Sequence, residues 1–206
     1  MFEARDLVAI EAVFFDLGGV ILRTEHQAPR EHLAERLNLS YEDLVRVVFE
    51  SNSARQASLG QLSTQQHWEV VAARLGRPAA EIDSLRHEFF AGDLLDLELL
   101  DFIRSLRPTR RTGLISNGWA DLREYVVKNK FDDAFDALVI SAEVGLLKPE
   151  PEMYELALRK LGAAPGQSVL VDDSLPNVEA ATSLGMFGIL FGDPDQMRLD
   201  LTHVLS

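Results

Sequence analysis

The chain has 206 residues, of which 47% are hydrophobic and 26% are charged, as expected for a globular protein with one sizeable core or a core and a small second unit. Its formal net charge of -13 argues against a surface for nucleic acid or an anionic membrane, because phosphate groups attract clustered lysine and arginine. The sequence contains no cysteine, which excludes disulfides and thiol chemistry and permits the reducing cytoplasm, where we expect the protein to be located.

The N-terminal stretch MFEARDLVAIEAV is interrupted by acidic residues and has no long apolar segment, so we expect no signal peptide. No later run of apolar residues reaches the length of a membrane span. We therefore expect no membrane partner, and the sequence assigns no oligomeric state.

The first predicted strand is the short apolar run Ala12-Val13-Phe14-Phe15, which is typical of a strand buried on both faces. Asp16 follows directly, and Gly18-Gly19 would let backbone amides approach a neighbouring group closely. Parallel α/β sheets bind ligands at the edge where their strands end. By itself, this stretch is equally compatible with an ordinary turn from a strand into a loop.

Residues 27 to about 92 contain helical patterns and no convincing strand. Apolar residues at helical spacing predict helices over 27–37, 41–50, 63–75 and 80–90. The third helix has clear end signals, because Ser63 and Gln66 form a capping box and Gly76 follows as a C-terminal cap.

From Leu94 onward, helices and strands alternate. The predicted helices are 97–106, 120–128, 151–161 and 178–184, and the predicted strands are 112–116, 137–140, 168–171 and 188–191. This alternation predicts an α/β fold with a doubly wound parallel sheet that also contains the first strand. We predict a core domain made of residues 1–23 and 94–206, with residues 24–93 inserted as a helical cap; we call this segment the helical insertion.

Polar residues follow four strands of the predicted sheet. They are Asp16, Ser116-Asn117-Gly118, Lys148-Pro149 and Asp172-Asp173. Seen alone, the second group could be a turn and the lysine could be a solvated loop residue. Two adjacent carboxylates after a buried strand are harder to dismiss, because they need a cation or a lysine to offset their repulsion. A doubly wound sheet would bring all four groups to one crevice.

These residue types suit phosphoryl transfer through a covalent aspartyl intermediate, with Asp16 as the nucleophile. A hard cation, Mg²⁺, would need oxygen ligands, and these would come from Asp16, Asp173, the nearby Asp172 and the Gly18 carbonyl. The phosphoryl oxygens would be held by Ser116, by the backbone that follows it at Asn117, and by Lys148, which would also stabilise the charge of the transition state.

Four stretches resemble the ordered motifs of the haloacid dehalogenase (HAD) superfamily of hydrolases. They are FFDLGGVI, LISNG, KPEPEMY and VDDSLPNVEAA, and with the helical insertion they span nearly the whole chain. The resemblance implies a Rossmann-like core, a helical cap that closes over the substrate, and a role for Asn177 as a partner behind the metal site. Within this superfamily, the sequence most resembles the sugar-phosphate phosphatases and the N-terminal phosphatase of soluble epoxide hydrolase.

One position departs from the family pattern. Phosphatases of this family usually have a second aspartate two residues after the nucleophile, which serves as general acid and base, and here that position is Gly18. Branches that begin with DLGN or DLGG share this feature. Slow turnover, a good leaving group or another side chain could compensate, and Glu25 and His26 are candidates because they lie where the insertion begins.

The sequence thus predicts a Mg²⁺-dependent phosphomonoester hydrolase that acts on a small phosphorylated metabolite. Two alternatives stay open: a metal-free 2-haloacid dehalogenase, and a non-catalytic protein that binds a phosphorylated ligand. A phosphorelay receiver domain uses similar residues, but the insertion and the chain length argue against it. In the insertion, Arg55 and His67 are conceivable substrate contacts, whereas the helical spacing of Trp68 predicts a core position.

Overall fold

The computed structural model describes residues 9–206. The first eight residues of the predicted core segment, and most of the stretch predicted to lack a signal peptide, therefore lie outside the described residues. The strands are β1 (Ala12–Phe15), β2 (Leu22–Thr24), β3 (Asp93–Leu95), β4 (Arg111–Ser116), β5 (Ala137–Ile140), β6 (Ser168–Asp172) and β7 (Phe187–Leu190).

The helices surround the strands and fill the insertion. They are α1 (Ala28–Arg36), α2 (Tyr41–Phe49), α3 (Asn52–Ser58), α4 (Thr64–Arg74), α5 (Ile82–Phe90), α6 (Leu97–Leu106), α7 (Leu122–Lys128), α8 (Ser141–Val144), α9 (Pro151–Leu161), α10 (Leu175–Ser183) and α11 (Pro194–Leu205). Short 3-10 turns lie at Ala79–Glu81, Asp132–Ala134 and Pro165–Gln167. Among the described residues, no helix combines the length and the apolar character that crossing a membrane requires.

The predicted α/β fold is confirmed: five parallel strands form one sheet in the order β5-β4-β1-β6-β7, with helices on both faces. The central strand β1 is apolar throughout because both of its faces are covered. Val13 and Phe15 pack into the cluster on one face, and Phe14 packs into the cluster on the other.

The strand order reverses direction at β1. The chain places β4 on one side of β1 and β6 on the other, so a crevice opens beyond the C-terminal end of β1 between the flanking connections. Asp16 follows β1 at this point, and Asp172 is the last residue of β6. The topology therefore brings the polar residues that follow β1, β4 and β6 to one edge of the sheet.

The helical insertion has its own apolar cluster. Helices α1, α2, α4 and α5 contribute the buried residues of this cluster, in which Trp68 is enclosed as its spacing predicted. The insertion is joined to the core through a two-stranded antiparallel ribbon, in which Thr24 of β2 pairs with Asp93 of β3. The predicted domain boundaries fall within this ribbon, and the division of the chain into two domains stays a prediction.

Several elements differ from the sequence prediction. The ribbon strands β2 and β3 are too short to show a period. Helix α3 buries small residues, Ser53, Ala54 and Ala57, and so lacks the apolar stripe that reveals a helix. Helix α11 was also missed, although Asp193 caps it and Pro194 is its first residue, which is a recognised start signal. Helix α8 is a single turn that ends at Val144, with Gly145 as its C-terminal cap.

Candidate active site

A buried lysine lies between two buried carboxylates at the edge of the sheet. The Lys148 ammonium is 2.8 Å from Oδ1 of Asp16 and 2.6 Å from Oδ2 of Asp172, and its side chain is 1% exposed. One positive charge therefore faces two negative charges in a region from which water is largely excluded. The excess negative charge favours a further cation at this position.

Asp172 is held in place by its own strand-to-helix connection. Its Oδ1 accepts hydrogen bonds from the backbone N–H of Ser174 and from Nδ2 of Asn177, both at 2.9 Å. The residue assigned by resemblance as a supporting group, Asn177, thus contacts the site through Asp172. With Lys148 on its other oxygen, Asp172 has little freedom to rotate.

Asp16 has one restrained oxygen and one oxygen without a donor. Oδ1 accepts from the backbone N–H of Leu17 at 2.7 Å and also faces Lys148. Within residues 9–206, Oδ2 of Asp16 accepts no hydrogen bond. Burial raises the pKa of Asp16 to about 6, with Lys148 opposing the rise and Asp172 adding to it. The arrangement orients the carboxylate and leaves one oxygen available for attack.

Asp173 completes a cluster of three carboxylates. Carboxylate oxygens of Asp16, Asp172 and Asp173 all lie within 4.8 Å of one another. Burial, followed by the charge of Asp172, raises the pKa of Asp173. Three carboxylates that converge from two strand ends are the hard oxygen ligands that Mg²⁺ prefers. The residues present therefore fit a magnesium ion.

Gly18 and Gly19, the two glycines that follow Asp16 and Leu17, differ in whether the structure requires glycine there. Gly19 has a φ of +77°, and a Cβ atom there would lie 1.9 Å from Oδ2 of Asp173, so only glycine fits. Gly18 is exposed, and a Cβ atom there would meet nothing within 4 Å. The close approach of another group, which the sequence predicted for the glycine pair, therefore occurs at Gly19. Packing does not require glycine at position 18.

Ser116 is the last residue of β4 and Asn117 follows it, and the two side chains contribute differently. The Ser116 side chain borders the cavity described below, and its hydroxyl makes no hydrogen bond within the described part of the chain. The Asn117 carboxamide is occupied: it accepts from the Lys148 backbone N–H at 2.8 Å and donates to the Lys148 carbonyl at 2.9 Å. The Asn117 side chain therefore positions Lys148. If Asn117 contacts phosphate as predicted, its backbone N–H makes that contact.

A cavity of about 820 Å³ lies between the sheet edge and the helical insertion. Gly18, Ser116 and Lys148 line it from the sheet side, and Phe49, Arg55 and Phe90 are among the residues that line it from the insertion. A volume of this size accommodates a small organic ligand. The candidate phosphate-binding residues Ser116 and Lys148 thus line this cavity, and Lys148 also contacts Asp16, the candidate nucleophile.

Three residues considered from the sequence do not line this cavity. Glu25 is exposed and forms an ion pair with Arg23 at 2.8 Å, and neighbouring His26 is also exposed. His67 is buried, where it bonds to the Ser53 hydroxyl and to the Val48 carbonyl, and burial lowers its pKa. In this structure, Glu25 and His26 are not placed to replace the missing acid and base at position 18, and His67 is not placed to contact a substrate in the cavity.

The sequence analysis missed a connection between the loop after β4 and the insertion. Asp121 accepts hydrogen bonds from Thr64 of α4 and from Arg86 of α5, both at 2.8 Å. Trp119 packs against the insertion, with its ring centroid 6.0 Å from that of Phe49 and 4.7 Å from that of His67. The signal was a large aromatic residue three positions after Ser116, in a loop that would otherwise be expected to be polar.

Comparison with known proteins supports a single family. A family model described as haloacid dehalogenase-like hydrolase, in the class of hydrolases, matches residues 10–185. A sesquiterpene phosphatase, AstK of Aspergillus oryzae, is 25% identical over 201 residues, which are 95% of this chain and 97% of that protein. The D-ribitol-5-phosphate phosphatase of Bacteroides thetaiotaomicron is 24% identical over 205 residues, which are 96% of this chain and 99% of that protein.

Another relative is much longer than this chain. The drimenol cyclase DrtB of Aspergillus calidoustus is 26% identical over 205 residues, and the match spans 96% of this chain and 37% of that protein. Among solved structures, a HAD family enzyme of Bacteroides thetaiotaomicron in complex with magnesium and inorganic phosphate superimposes with a TM-score of 0.73. Its sequence identity is 21%, and the match covers 92% of this chain and 99% of that one. At this identity, the superposition supports the fold.

Proposed function

Because the chain belongs to the haloacid dehalogenase-like hydrolases, we propose that it is a magnesium-dependent phosphomonoester hydrolase with Asp16 as the nucleophile. The observation that carries this proposal is the state of Asp16: one oxygen is held by Leu17 and by Lys148, which lines the cavity, and the other accepts no hydrogen bond within residues 9–206. The two relatives matched over nearly their full length are both phosphatases, which supports the same reaction class.

In the first step, Oδ2 of Asp16 attacks the phosphorus atom and the bond between phosphorus and the ester oxygen breaks. The departing alkoxide takes a proton from water, because position 18 has no side chain that could supply one. Ser116 and the Lys148 ammonium hold the phosphoryl oxygens. In the second step, water attacks the phosphorus of the aspartyl phosphate, inorganic phosphate leaves, and the Asp16 carboxylate is regenerated.

The metal belongs to the same proposal. The carboxylates of Asp16, Asp172 and Asp173, with the Gly18 carbonyl, would hold Mg²⁺, which supplies positive charge against the phosphoryl group. Paired acids beside the nucleophile would repel the carboxylate of a haloacid, and the buried Lys148 already faces two carboxylates, those of Asp16 and Asp172. This charge balance favours a phosphatase over a metal-free dehalogenase.

The test is release of p-nitrophenol and inorganic phosphate from p-nitrophenyl phosphate, with Mg²⁺ and with EDTA. We expect turnover with Mg²⁺, loss of turnover in EDTA, and a loss of at least about 10³-fold in kcat for Asp16→Asn, because an amide cannot attack phosphorus. Asp101→Asn is the matched control, since the Asp101 side chain on α6 is 77% exposed and lies outside the site.

Each alternative predicts a distinct result. Chloride release from 2-chloropropionate in EDTA, without phosphatase activity, would identify a dehalogenase. Tight binding of phosphate without any turnover would identify a non-catalytic binding protein. Unchanged turnover in Asp16→Asn would remove Asp16 as the nucleophile.

A further inference from the structure

The cavity beyond the phosphoryl site has a wall of apolar and aromatic side chains. Its members come from the insertion and from the connections after β1 and β4, and they are Leu22, Phe49, Phe90, Trp119, Leu122 and Tyr125. Phe49 stacks on Trp119 with their ring centroids 6.0 Å apart, so residues from both sides of the cavity form one continuous surface. Ser116 and Lys148 line the same cavity, so a phosphate ester held there places its organic group against this surface.

Two groups of polar side chains that line the cavity are paired within the protein. Arg30 donates two hydrogen bonds of 2.8 Å to Asp93, which also accepts from Thr24. On the opposite side, Arg86 donates to Asp121, and Asp121 also accepts from Thr64. These pairs occupy the charged groups on both sides of the aromatic surface, and the other polar side chains that line the cavity from the insertion are Glu50, Ser51, Arg55 and Ser58.

Phe49 marks where the organic group lies. It is 44% exposed although it contacts Phe89, Phe90 and Trp119, so an apolar ring faces the cavity and is not enclosed by the protein. Covering such a surface with an apolar group is favourable, whereas hydroxyl groups that lose water there without gaining partners weaken binding. The cavity would therefore discriminate against a polyol phosphate and in favour of the phosphate of an apolar alcohol.

We propose, resting on the phosphatase function proposed above, that the substrate is the phosphate monoester of an apolar alcohol and that Phe49, Phe90 and Trp119 select its hydrocarbon part. A polyol phosphate is a poor substrate on this view. The phosphoryl group binds at Ser116 and Lys148, and the chain or ring of the alcohol extends along the aromatic wall toward α2 and α5.

The experiment compares n-pentyl phosphate with D-ribitol 5-phosphate, which have the same five-carbon chain and differ in four hydroxyl groups. We expect kcat/KM for the pentyl ester to exceed that for the ribitol ester by at least about 100-fold. Chemical reactivity favours the opposite order, because neighbouring hydroxyl groups stabilise a departing alkoxide. A preference for the pentyl ester therefore reports recognition. A decyl ester, which reaches further along the wall, should exceed the pentyl ester.

Variants test the wall itself. Phe49→Ser should reduce the ratio of the two kcat/KM values by about tenfold, or about 1.4 kcal/mol, and Phe49→Leu should keep most of it. Phe187→Ser is the matched control, because Phe187 on the edge strand β7 is 45% exposed and lies outside the cavity. Equal effects of Phe49→Ser and Phe187→Ser would overturn the assignment of the wall.

The comparison of the two five-carbon esters uses only the wild-type protein, so its result does not depend on whether the variants fold. Hydrolysis of both five-carbon esters with the ribitol ester equal or preferred would overturn this inference and leave the phosphatase function intact. Hydrolysis of neither ester nor of p-nitrophenyl phosphate, with Mg²⁺ present, would overturn the phosphatase function and this inference with it. Hydrolysis of p-nitrophenyl phosphate alone would overturn only the inference.

Discussion

Replacing Gly19 by alanine should damage the metal site through a single added atom. The new Cβ would lie 1.9 Å from Oδ2 and 2.4 Å from Cγ of Asp173, whereas ordinary contacts begin at 3.4 Å. The Asp173 carboxylate must therefore move by about 1.5 Å, because packed atoms repel steeply below contact distance. Alanine at a φ of +77° adds a backbone cost of about 1 kcal/mol.

The displaced carboxylate should lower the affinity for magnesium. Mg²⁺ requires near-ideal octahedral geometry with oxygen ligands at about 2.0–2.1 Å, so a ligand moved by more than 1 Å is lost. We expect the Kd for Mg²⁺ in Gly19→Ala to rise at least about tenfold, which corresponds to about 1.4 kcal/mol. Calorimetric titration of the metal-free protein with Mg²⁺ gives this Kd directly, and urea unfolding in EDTA gives the stability cost.

Gly76→Ala separates the collision from the backbone strain. Gly76 has a φ of +66°, and a Cβ atom there would meet nothing within 4 Å, so this variant carries only the backbone cost. It should lose about as much stability as the backbone term in Gly19→Ala and keep the wild-type affinity for Mg²⁺. Equal Mg²⁺ affinities in the two variants would refute the assignment of Asp173 as a ligand positioned by Gly19.

Three further predictions concern the residues around Gly19. A Cβ atom at position 18 would meet nothing within 4 Å, so Gly18→Asp should supply the missing proton and raise kcat for alkyl phosphates by about 10²-fold and for aryl phosphates less; equal gains on both esters would contradict this reasoning. In EDTA, burial raises the pKa of Asp16 to about 6, so the folded wild-type protein favours the protonated carboxyl. The contribution of this group to stability is therefore fully present below about pH 4 and is lost as the pH rises through 6. Asp16→Asn lacks that decline, so it should be more stable than wild type at pH 7.5, by on the order of 3 kcal/mol in urea unfolding, and parallel stability curves would argue against a buried charged Asp16. Asp173→Ala should raise the Mg²⁺ concentration for half-maximal activity at least about tenfold, whereas an unchanged half-saturation point would exclude it as a ligand.

Local patterns were sufficient for most of the elements. The run of four apolar residues in β1 and the helical spacing in α6 and α9 predicted these elements with the bounds found in the structure. They were predictable because burial imposes a period on each element's own residues. The capping box at Ser63 was readable for a similar reason, since its hydrogen bonds join residues three positions apart.

Some parts of the site depend on contacts between distant residues. The Asn117 side chain forms hydrogen bonds with the backbone of Lys148, which lies 31 positions away in the chain. Gly19 lies close to Asp173, which follows a different strand. Trp119 packs against the insertion more than 50 positions from His67 in the chain. No local pattern records such pairs, because the same residue types occur in loops that contact only water.

The sequence by itself determined that strands alternate with helices after Leu94, and that a carboxylate, a hydroxyl, a lysine and a carboxylate pair follow successive strands. Only the tertiary structure decided that β4 and β6 flank β1, which places the ammonium of Lys148 between Asp16 and Asp172. It also decided that the aromatic residues of the insertion meet Trp119 over the same cavity. The physical reason is that periodicity reports whether a side chain is covered, whereas the identity of the covering group depends on how the elements pack.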